Sequence, residues 1–329
     1  MQKRILHIIP GLDDPTCGIA VAAKMIIRKQ IATGDSVEYV DFKKWTKQQI
    51  GAADEVWVHS MWTPGVMSAV FTATRLNKIV VRMPHGCMDP TKVKHHWYKK
   101  CWVAPIERWL FRKVNRVVAT CANEVEWVRK FEPNVKEIEV VSLASERDFK
   151  CQKEDNDCKD GEVKLLYIGR LHPLKGVEFL LQAMNEYQRS LRPLRSLRLK
   201  IIGKDEGEGE KLRRMTTEFG LNVEFCGVVS EEEKERAWDW CDVLVLPTLS
   251  ENFGLVVAEA LERGKRVITT DGAPVWGKMG NGELGTGNGE DVGGRLLYLK
   301  GYRDGSEKER VRLLKEAILF LAAKNAKDA

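Results

Sequence analysis

The chain has 329 residues, more than one hydrophobic core usually supports, so we expect two domains. Its residues are 43% hydrophobic and 30% charged, a composition that excludes a disordered or fibrous chain. The net charge of +6 is modest and does not by itself indicate a nucleic acid or a membrane as partner. The apolar runs are shorter than the roughly 20 residues of a membrane span and no signal-peptide pattern precedes them, so we expect a cytoplasmic protein.

In the first half of the chain, short β-branched runs alternate with helical patterns, which is typical of βαβ units in a parallel sheet. The clearest helix runs from Ile19 to Thr33, and Gly34 closes it at a C-cap position. We predict a Rossmann-like domain over residues 1–145. Its predicted strands are Ile5 to Ile9, Val37 to Phe42, Glu55 to His59, Ile79 to Met83, Arg116 to Thr120 and Ile138 to Leu143.

Residues 146–162 are polar and charged without periodicity, which predicts an interdomain linker. A second Rossmann-like domain is predicted over residues 163–329, and its last helix, from Glu307 to Ala323, could cross back to the first domain. A capping box of Ser230 and Glu233 opens one helix of this half. The predicted strands are Val163 to Ile168, Leu197 to Ile202, Val223 to Cys226, Val243 to Leu246 and Arg266 to Thr270. Together these patterns predict an α/β protein in which two Rossmann-like domains face each other across a ligand-binding cleft.

Metal and dinucleotide patterns are weak in this sequence. The eight cysteines include no Cys-x-x-Cys pair and no zinc-like spacing with histidine, so we interpret them as reduced thiols. Asp155 and Asp157 imitate a metal-binding Asp-x-Asp motif but lie in the predicted linker. Gly203, Gly207 and Gly209 do not form the dinucleotide fingerprint, which disfavours a dehydrogenase. We therefore expect neither a metal nor a cofactor.

Two cations follow the first strand of the second domain. The segment from Leu165 to Gly176, LLYIGRLHPLKG, releases Arg170 and Lys175 into the loop after that strand. A guanidinium and an ammonium group at a strand end can neutralise a diphosphate without magnesium. Taken alone, the pattern fits two surface cations on a solvated loop equally well.

A second segment, from Ser250 to Gly264, combines carboxylates with a helix start. Glu251 lies in a loop, a helix begins near Gly254, and Glu259 lies about one and a half turns inside it. Free amides at a helix N-terminus favour a phosphate, and carboxylates accept hydrogen bonds from sugar hydroxyls. The alternative interpretation makes Glu259 a surface acid and Glu251 a partner of the helix dipole.

With these motifs the chain resembles, over nearly its whole length, the retaining glycosyltransferases of family 4, which have the GT-B fold. The hallmark is the E-x7-E motif that begins at Glu251 and encloses Phe253 and Gly254. The G-R-L motif around Arg170, with the K-G pair at Lys175, is similar to the family's phosphate loop.

The resemblance implies a nucleoside-diphosphate sugar as sugar donor and a mechanism that retains the anomeric configuration without a metal. It implies that Arg170 and Lys175 bind the diphosphate, Glu259 the ribose and Glu251 the transferred sugar. The backbone amides around Phe253 and Gly254 are implied to assist. The spacing alone does not make Glu251 a nucleophile.

The first half supplies further matches. Met83-Pro84-His85-Gly86 resembles the family's Pro-His-Gly turn, whose histidine faces the transferred sugar, and His85 could donate a hydrogen bond to a sugar hydroxyl. Gly11 and Gly18 flank a loop that resembles the family's glycine loop, so Gly18 joins the predicted site. After the last predicted strand of the first domain, the family commonly has an Asn-Gly pair, whereas residues 142–145 of this sequence read Ser-Leu-Ala-Ser. The stretch PHGCMDP resembles enzymes of bacterial surface polysaccharides.

A basic and aromatic cluster spans residues 92–116 and includes Trp97, Trp102, Trp109 and Phe111. Such a cluster suits an anionic membrane face, which would make the protein peripheral to the inner face of the plasma membrane. The alternative is a helix whose aromatic residues, Trp109 and Phe111 above all, pack into the core. No nucleic-acid motif accompanies the cluster.

The function that this sequence predicts is transfer of a hexose-type unit to a cell-surface glycan or lipid-linked acceptor, as in lipopolysaccharide, capsule or exopolysaccharide synthesis. Two alternatives remain: a nucleotide-sugar epimerase of the same architecture, and an inactive nucleotide-sugar-binding partner subunit.

Overall fold

The computed structural model describes residues 2–14, 17–90, 97–141, 143, 161–190, 195–277, 290–291 and 295–327. The chain divides into two compact units, Met1–Leu143 and Ala144–Ala329. Residues 146–160 of the predicted linker, which include the Asp155–Asp157 motif, and residues 142, 144 and 145 lie outside the described residues.

The first unit alternates strands and helices, and its six described strands form one parallel sheet of order β2-β1-β3-β4-β5-β6. The elements are β1 (Arg4–Ile9), α1 (Gly18–Ala32), β2 (Ser36–Asp41), α2 (Lys47–Ala52), β3 (Glu55–His59), α3 (Pro64–Arg75), β4 (Ile79–Met83), α4 (Trp97–Lys113), β5 (Arg116–Ala119), α5 (Ala122–Phe131) and β6 (Ile138–Val140).

The second unit repeats this plan around a sheet of order β12-β13-β11-β10-β7-β8-β9. Its elements are β7 (Glu162–Ile168), a 3-10 helix (Pro173–Lys175), α6 (Val177–Gln188), β8 (Ser196–Ile202), α7 (Gly209–Phe219), β9 (Val223–Gly227), α8 (Glu231–Trp240), β10 (Val243–Leu246), α9 (Leu255–Glu262), β11 (Arg266–Thr270), β12 (Glu290–Asp291), β13 (Leu296–Leu299) and α10 (Glu307–Lys327). Of the described strands, β12 alone runs antiparallel to its neighbour.

The sequence patterns located most elements because buried parallel strands are continuous apolar runs. Val56, Val58 and Val80 are almost completely buried in the first unit, as are Leu166 and Val245 in the second. The eleven predicted strands and the α/β fold class are confirmed: four strands have the predicted boundaries and the other seven differ by one to three residues.

Helix signals were equally informative. The capping box predicted at Ser230 is formed, because its hydroxyl accepts from the Glu233 amide while the Glu233 carboxylate accepts from the Ser230 amide. Helix α1 ends at Ala32, two residues before Gly34, whose φ of 95° lies in the range that favours glycine.

Two strands were not predicted. Strand β13 has four residues and β12 has two, and both lie beyond Thr270, where the last predicted strand ends. Strand β12 is too short to show alternation or helical spacing, whereas β13, with the sequence LLYL, is an apolar run as long as the predicted strand β10 and was missed.

The last helix, α10, packs against α6 of the same unit. Arg310 lies over the ring of Phe179, and Lys315 pairs with Glu186 at 3.4 Å between Nζ and Oε2. Among the described residues, no helix is both long and apolar enough to cross a bilayer.

Candidate functional site

The order of the second sheet places a topological switch point between β7 and β10. From β7 the chain builds outward through β8 and β9, whereas β10 is followed by β11 and β13 on the opposite side. In open parallel sheets, ligands bind outside the carboxyl ends of the strands at such a point, because the two following loops diverge there. Arg170 and Lys175 follow β7, while Glu251, Phe253 and Gly254 follow β10.

The loop after β7 is tightly braced against the loop after β10. The Leu249 amide donates to the Leu174 carbonyl at 2.8 Å, and the Thr248 hydroxyl donates to the same oxygen at 3.2 Å. Gly176 has a φ of 67°, and a Cβ atom at this position would lie 2.0 Å from the Pro247 carbonyl oxygen. Because only glycine permits this approach, the K-G pair of the motif determines how closely the two loops meet.

Lys175 is the cation at the centre of this arrangement. Its ammonium group donates to the Glu251 carboxylate, and both side chains are largely buried. The Glu251 backbone amide donates to the Gly272 carbonyl at 2.7 Å, which anchors this residue to the loop after β11. An ammonium group, which is chemically suited to phosphate, and a carboxylate, which is suited to hydroxyls, thus lie in direct contact.

Arg170 is placed differently. Its guanidinium forms an ion pair with Glu206 at 2.9 Å between Nη1 and Oε2, and about half of its side chain remains exposed. The phenol of Tyr167 donates to the Arg170 carbonyl at 2.9 Å. Burial, and secondarily the charge of Glu251, raise the pKa of Tyr167, so this phenol stays a hydrogen-bond donor that holds the loop.

Gly254 is the N-cap of α9, with a φ of 71° and no side-chain cap. The ring of the preceding residue, Phe253, is buried edge-on against Trp276, whose Nε1 donates to the Phe253 carbonyl at 2.6 Å. A Cβ atom at position 254 would lie 3.2 Å from the same Nε1 atom. The turn is therefore closely packed, and position 254 places no side-chain cap on the positive end of the helix dipole.

Glu259, inside α9, pairs with Lys234 of α8 at 2.7 Å between Oε2 and Nζ. The sequence did not suggest Lys234, because it lies 25 residues away and on another helix. Glu259 is partly buried rather than a freely solvated acid, and its partner, Lys234, adds a cation close to α9. Its predicted ribose contact stays a prediction.

In the first unit, His85 lies in a turn with unusual backbone geometry. His85 has a φ of 54° and Gly86 has a φ of 68°. The completely buried carboxylate of Glu124 accepts from the Gly86 amide and, at 2.8 Å, from the Thr120 amide. A non-glycine residue in the left-handed region is uncommon, and such conformations persist where surrounding contacts hold them, often at functional sites.

A buried ion pair supports the neighbouring turn after β3. Arg82 and Glu107 are completely buried and form two hydrogen bonds of 2.9 and 3.0 Å. Arg82 Nε donates to the Ser60 carbonyl, and Glu107 accepts from the Trp62 amide. Ser60 and Trp62 both have positive φ angles, so this pair organises a strained turn next to β4. Nothing in the sequence pattern indicated the pairing.

Gly11 and Gly18, predicted to border a loop after β1, differ in their structural need for glycine. Gly11 has a φ of 70°, and a Cβ atom there would lie 2.8 Å from the sulfur of Cys17. Gly18 is the first residue of α1, and a Cβ atom there would meet nothing within 4 Å. Packing within the unit therefore explains Gly11, whereas it gives no reason for glycine at position 18.

The predicted site residues thus fall into groups. Lys175 and Glu251 are in contact, and Phe253 and Gly254 form the adjoining turn. Arg170 and Glu259 lie in the same unit and are paired with other residues. His85 and Gly18 belong to the other unit. Among the residues that the structure describes, no group of three or more His, Cys, Asp or Glu side chains could hold a metal ion.

Both units have the Rossmann-like architecture of GT-B proteins, and solved structures share it over nearly the whole chain. Anabaena Alr3699/HepE, in complex with UDP and glucose, superposes with a TM-score of 0.67 at 15% identity and covers 99% of this chain and 94% of that one. WaaG, a glycosyltransferase involved in lipopolysaccharide biosynthesis, gives 0.63 at 16% identity with coverage of 99% and 94%. At these identities the similarity establishes the fold.

The family-model match lies within the second unit. Residues 162–285, all within the second unit, match the family described as glycosyl transferases group 1. The D-inositol 3-phosphate glycosyltransferase of Nocardioides sp. is 37% identical over 120 residues, which are 32% of this chain and 26% of that protein. Proteins of the same name from Nocardia farcinica and Rhodococcus erythropolis are covered over 39% and 29% of their lengths. The chain thus spans well under half of these relatives.

Proposed function

We propose that the protein is a retaining glycosyltransferase that moves a sugar from a nucleoside-diphosphate sugar to a cell-surface glycan or lipid-linked acceptor without a bound metal. The observation that carries the proposal is the contact between Lys175 and Glu251 at the switch point of the group 1 domain. The HepE complex with UDP and glucose supports a ligand of this kind on the same fold.

The electrostatics of the switch point suit a diphosphate. Glu251 offsets the charge of Lys175, so the cost of burying an ammonium group is lowered. We propose that, on binding, phosphate oxygens replace Glu251 as the hydrogen-bond partners of the Lys175 ammonium group. Glu251 then accepts hydrogen bonds from hydroxyls of the transferred sugar. Arg170 and the amides at the start of α9 contribute further positive charge.

The proposed chemistry needs charge stabilisation on the leaving group. As the bond from the anomeric carbon to the diphosphate lengthens, negative charge grows on the departing oxygen. Lys175 and Arg170 are the groups proposed to stabilise it, as a divalent cation does in other phosphate sites. The leaving phosphate is proposed to accept the proton of the attacking hydroxyl on the same face of the sugar, which would retain the configuration. His85 is proposed to hold a hydroxyl of the sugar, and Glu259 the ribose.

Donor specificity can be tested with a panel of nucleotide sugars in EDTA, by thermal shift and by product analysis. Lys175→Met should weaken diphosphate binding tenfold or more, because a charge-assisted hydrogen bond contributes roughly 1.5–3 kcal/mol. Lys211→Met is the matched control, since it removes a lysine paired with Glu178 in the same unit but on α7. Equal losses in both variants would contradict the proposed phosphate site, and so would a strict need for magnesium.

The products separate the enzymatic alternatives. Transfer yields a glycosylated acceptor and a nucleoside diphosphate, whereas an epimerase releases a changed sugar without an acceptor, and an inactive partner subunit binds without turnover. WaaG supports a lipopolysaccharide acceptor, while the matching relatives carry names that specify D-inositol 3-phosphate. Offering truncated lipopolysaccharide and inositol 3-phosphate side by side distinguishes these acceptor classes.

We also propose that helix α4 rests on an anionic lipid surface. Trp102 is 85% exposed, Ile106 52% and Trp109 40%, and their spacing of four and three residues puts them on one helix face. Phe71 of α3 extends this face, with its ring centroid 6.0 Å from that of Trp109. The alternative places Trp109 and Phe111 in the core. The structure supports this for Phe111, which is completely buried, but not for Trp109, which is 40% exposed.

Cations border this apolar face. Arg108 and Arg112 are about half exposed beside Glu132, and Lys113 lies over the Trp109 ring. Aromatic side chains at headgroup depth with flanking cations are the pattern of an interfacial helix.

Flotation with liposomes that contain or lack phosphatidylglycerol tests the membrane proposal. The wild type should float with the anionic liposomes, and the double substitution Trp102→Ser with Ile106→Ser should abolish flotation. Ile31→Ser, which removes an equally exposed apolar side chain from α1, should leave it unchanged. Equal recovery with both liposome types would count against the proposal.

A further inference from the structure

Three histidines form a continuous line across the first sheet. His7 lies on β1 opposite Trp57 of β3, and His59 lies two residues further along β3, on the same face. His59 is in turn opposite Met83 of β4, and His85 follows two residues later. The register of the parallel strands therefore steps the three imidazoles diagonally toward the carboxyl edge of the sheet.

The three rings are joined through their nitrogens. Nδ1 of His7 lies 2.9 Å from Nε2 of His59, and Nδ1 of His59 lies 2.8 Å from Nε2 of His85. At the inner end, Nε2 of His7 lies 2.8 Å from the carboxamide oxygen of Gln30 on α1. Neighbouring rings are also stacked, with centroids 5.1 to 5.2 Å apart.

The two inner histidines remain neutral. Burial lowers the pKa of His7 to about 4, although the hydrogen bond to Gln30 acts in the opposite direction. Burial, followed by the charges of His85 and His7, lowers the pKa of His59 well below its ordinary value. A neutral imidazole has one N–H group and one lone pair, so each inner ring donates through one nitrogen and accepts through the other.

This rule gives the row of hydrogen bonds from Gln30 to His85 a direction. The Gln30 oxygen can only accept, so His7 donates from Nε2 and must accept at Nδ1. His59 then donates from Nε2 to His7 and accepts at Nδ1, which requires His85 to donate from its own Nε2. In neutral His85 the lone pair is consequently on Nδ1.

We propose that Gln30, His7 and His59 are positioning residues that hold neutral His85 as the Nε2–H tautomer, with Nδ1 as a hydrogen-bond acceptor for a hydroxyl group of the bound sugar or acceptor. The inference rests on the proposed function for its ligand, and it reverses the sequence-based expectation that His85 donates a hydrogen bond. The row of hydrogen bonds also explains how two polar rings are buried in a valine-rich sheet, since both nitrogens of His7 and of His59 are hydrogen-bonded.

The tautomer can be observed directly in the ligand-free protein. Long-range ¹H–¹⁵N spectra of ¹⁵N-histidine-labelled protein at about pH 8.5, roughly two units above the ordinary imidazole pKa, distinguish protonated from unprotonated ring nitrogens. The chain contains six histidines, and His85→Gln identifies the signals of His85. We expect a protonated Nε2 and an unprotonated Nδ1, and a protonated Nδ1 in neutral His85 would overturn the proposal.

Substitutions at Gln30 test whether the tautomer of His85 is set from the other end of the row of hydrogen bonds. Gln30→Met removes the acceptor and should shift the His85 Nδ1 resonance toward the protonated position. Gln30→Glu keeps an acceptor-only group and should restore the wild-type shift. An unchanged His85 tautomer in Gln30→Met would refute positioning through the chain. Because no substrate is present, these outcomes are independent of the donor panel, which tests the transferase function separately.

Discussion

Acidification should destabilise the first unit through His7. The unfolded chain binds a proton at His7 with a pKa near 6.5, whereas burial lowers the folded-state pKa to about 4. The shift of about 2.5 units corresponds to about 3 kcal/mol at roughly 1.36 kcal/mol per unit. The folded pKa is the lower one, so this contribution is fully present above about pH 6.5 and is lost as the pH falls toward 4. Between pH 7.5 and 5.0 the expected loss is about 2 kcal/mol.

The assay is urea unfolding at pH 7.5 and 5.0, followed by tryptophan fluorescence. His7→Gln removes the titrating group. When the pH is lowered from 7.5 to 5.0, the free energy of unfolding of this variant should therefore decrease by about 2 kcal/mol less than that of the wild type. Ile8→Val, at the next and completely buried position, is the matched control. It should lower the free energy of unfolding by about 1 kcal/mol at both pH values. The unfolding transition that it shifts is therefore that of the first unit. If His7→Gln and the wild type lose the same stability on acidification, the reasoning about burial is wrong.

Two further predictions concern backbone and charge. Gly176→Ala should cost about 2–4 kcal/mol, because it adds a left-handed alanine and a Cβ atom 2.0 Å from a carbonyl oxygen. Gly220→Ala, with a φ of 60° and no atom within 4 Å, should cost only about 1 kcal/mol, and equal melting temperatures for both would contradict the close approach. Arg82→Met should cost about 3–5 kcal/mol because it leaves Glu107 charged and buried. Adding Glu107→Leu should recover much of that loss in thermal melts, and a double variant no more stable than the single one would refute the explanation.

Local signals determined much of the site. Glycines at positions 176 and 254 were visible in the sequence, and both adopt positive φ angles where a loop turns at the switch point. The cations and acids were also identified by residue type and spacing. Their partners were not, because Glu206 and Lys234 lie far along the chain from the side chains they bind. Spacing within one segment carries no information about which helix will lie beside it.

The sequence by itself determined the alternation of strands and helices and the residues at the strand ends, since both follow from local periodicity and glycine placement. The tertiary structure alone decided that Lys175 meets Glu251, that Arg82 and Glu107 are buried together, and that His7 and His59 lead to His85. The contacts of Lys175 and of the histidines depend on strand order and register, whereas the Arg82–Glu107 pair depends on the packing of helix α4 beside β4. Because hydrogen bonding along the histidine line passes from strand to strand, it exists only once β1, β3 and β4 are paired.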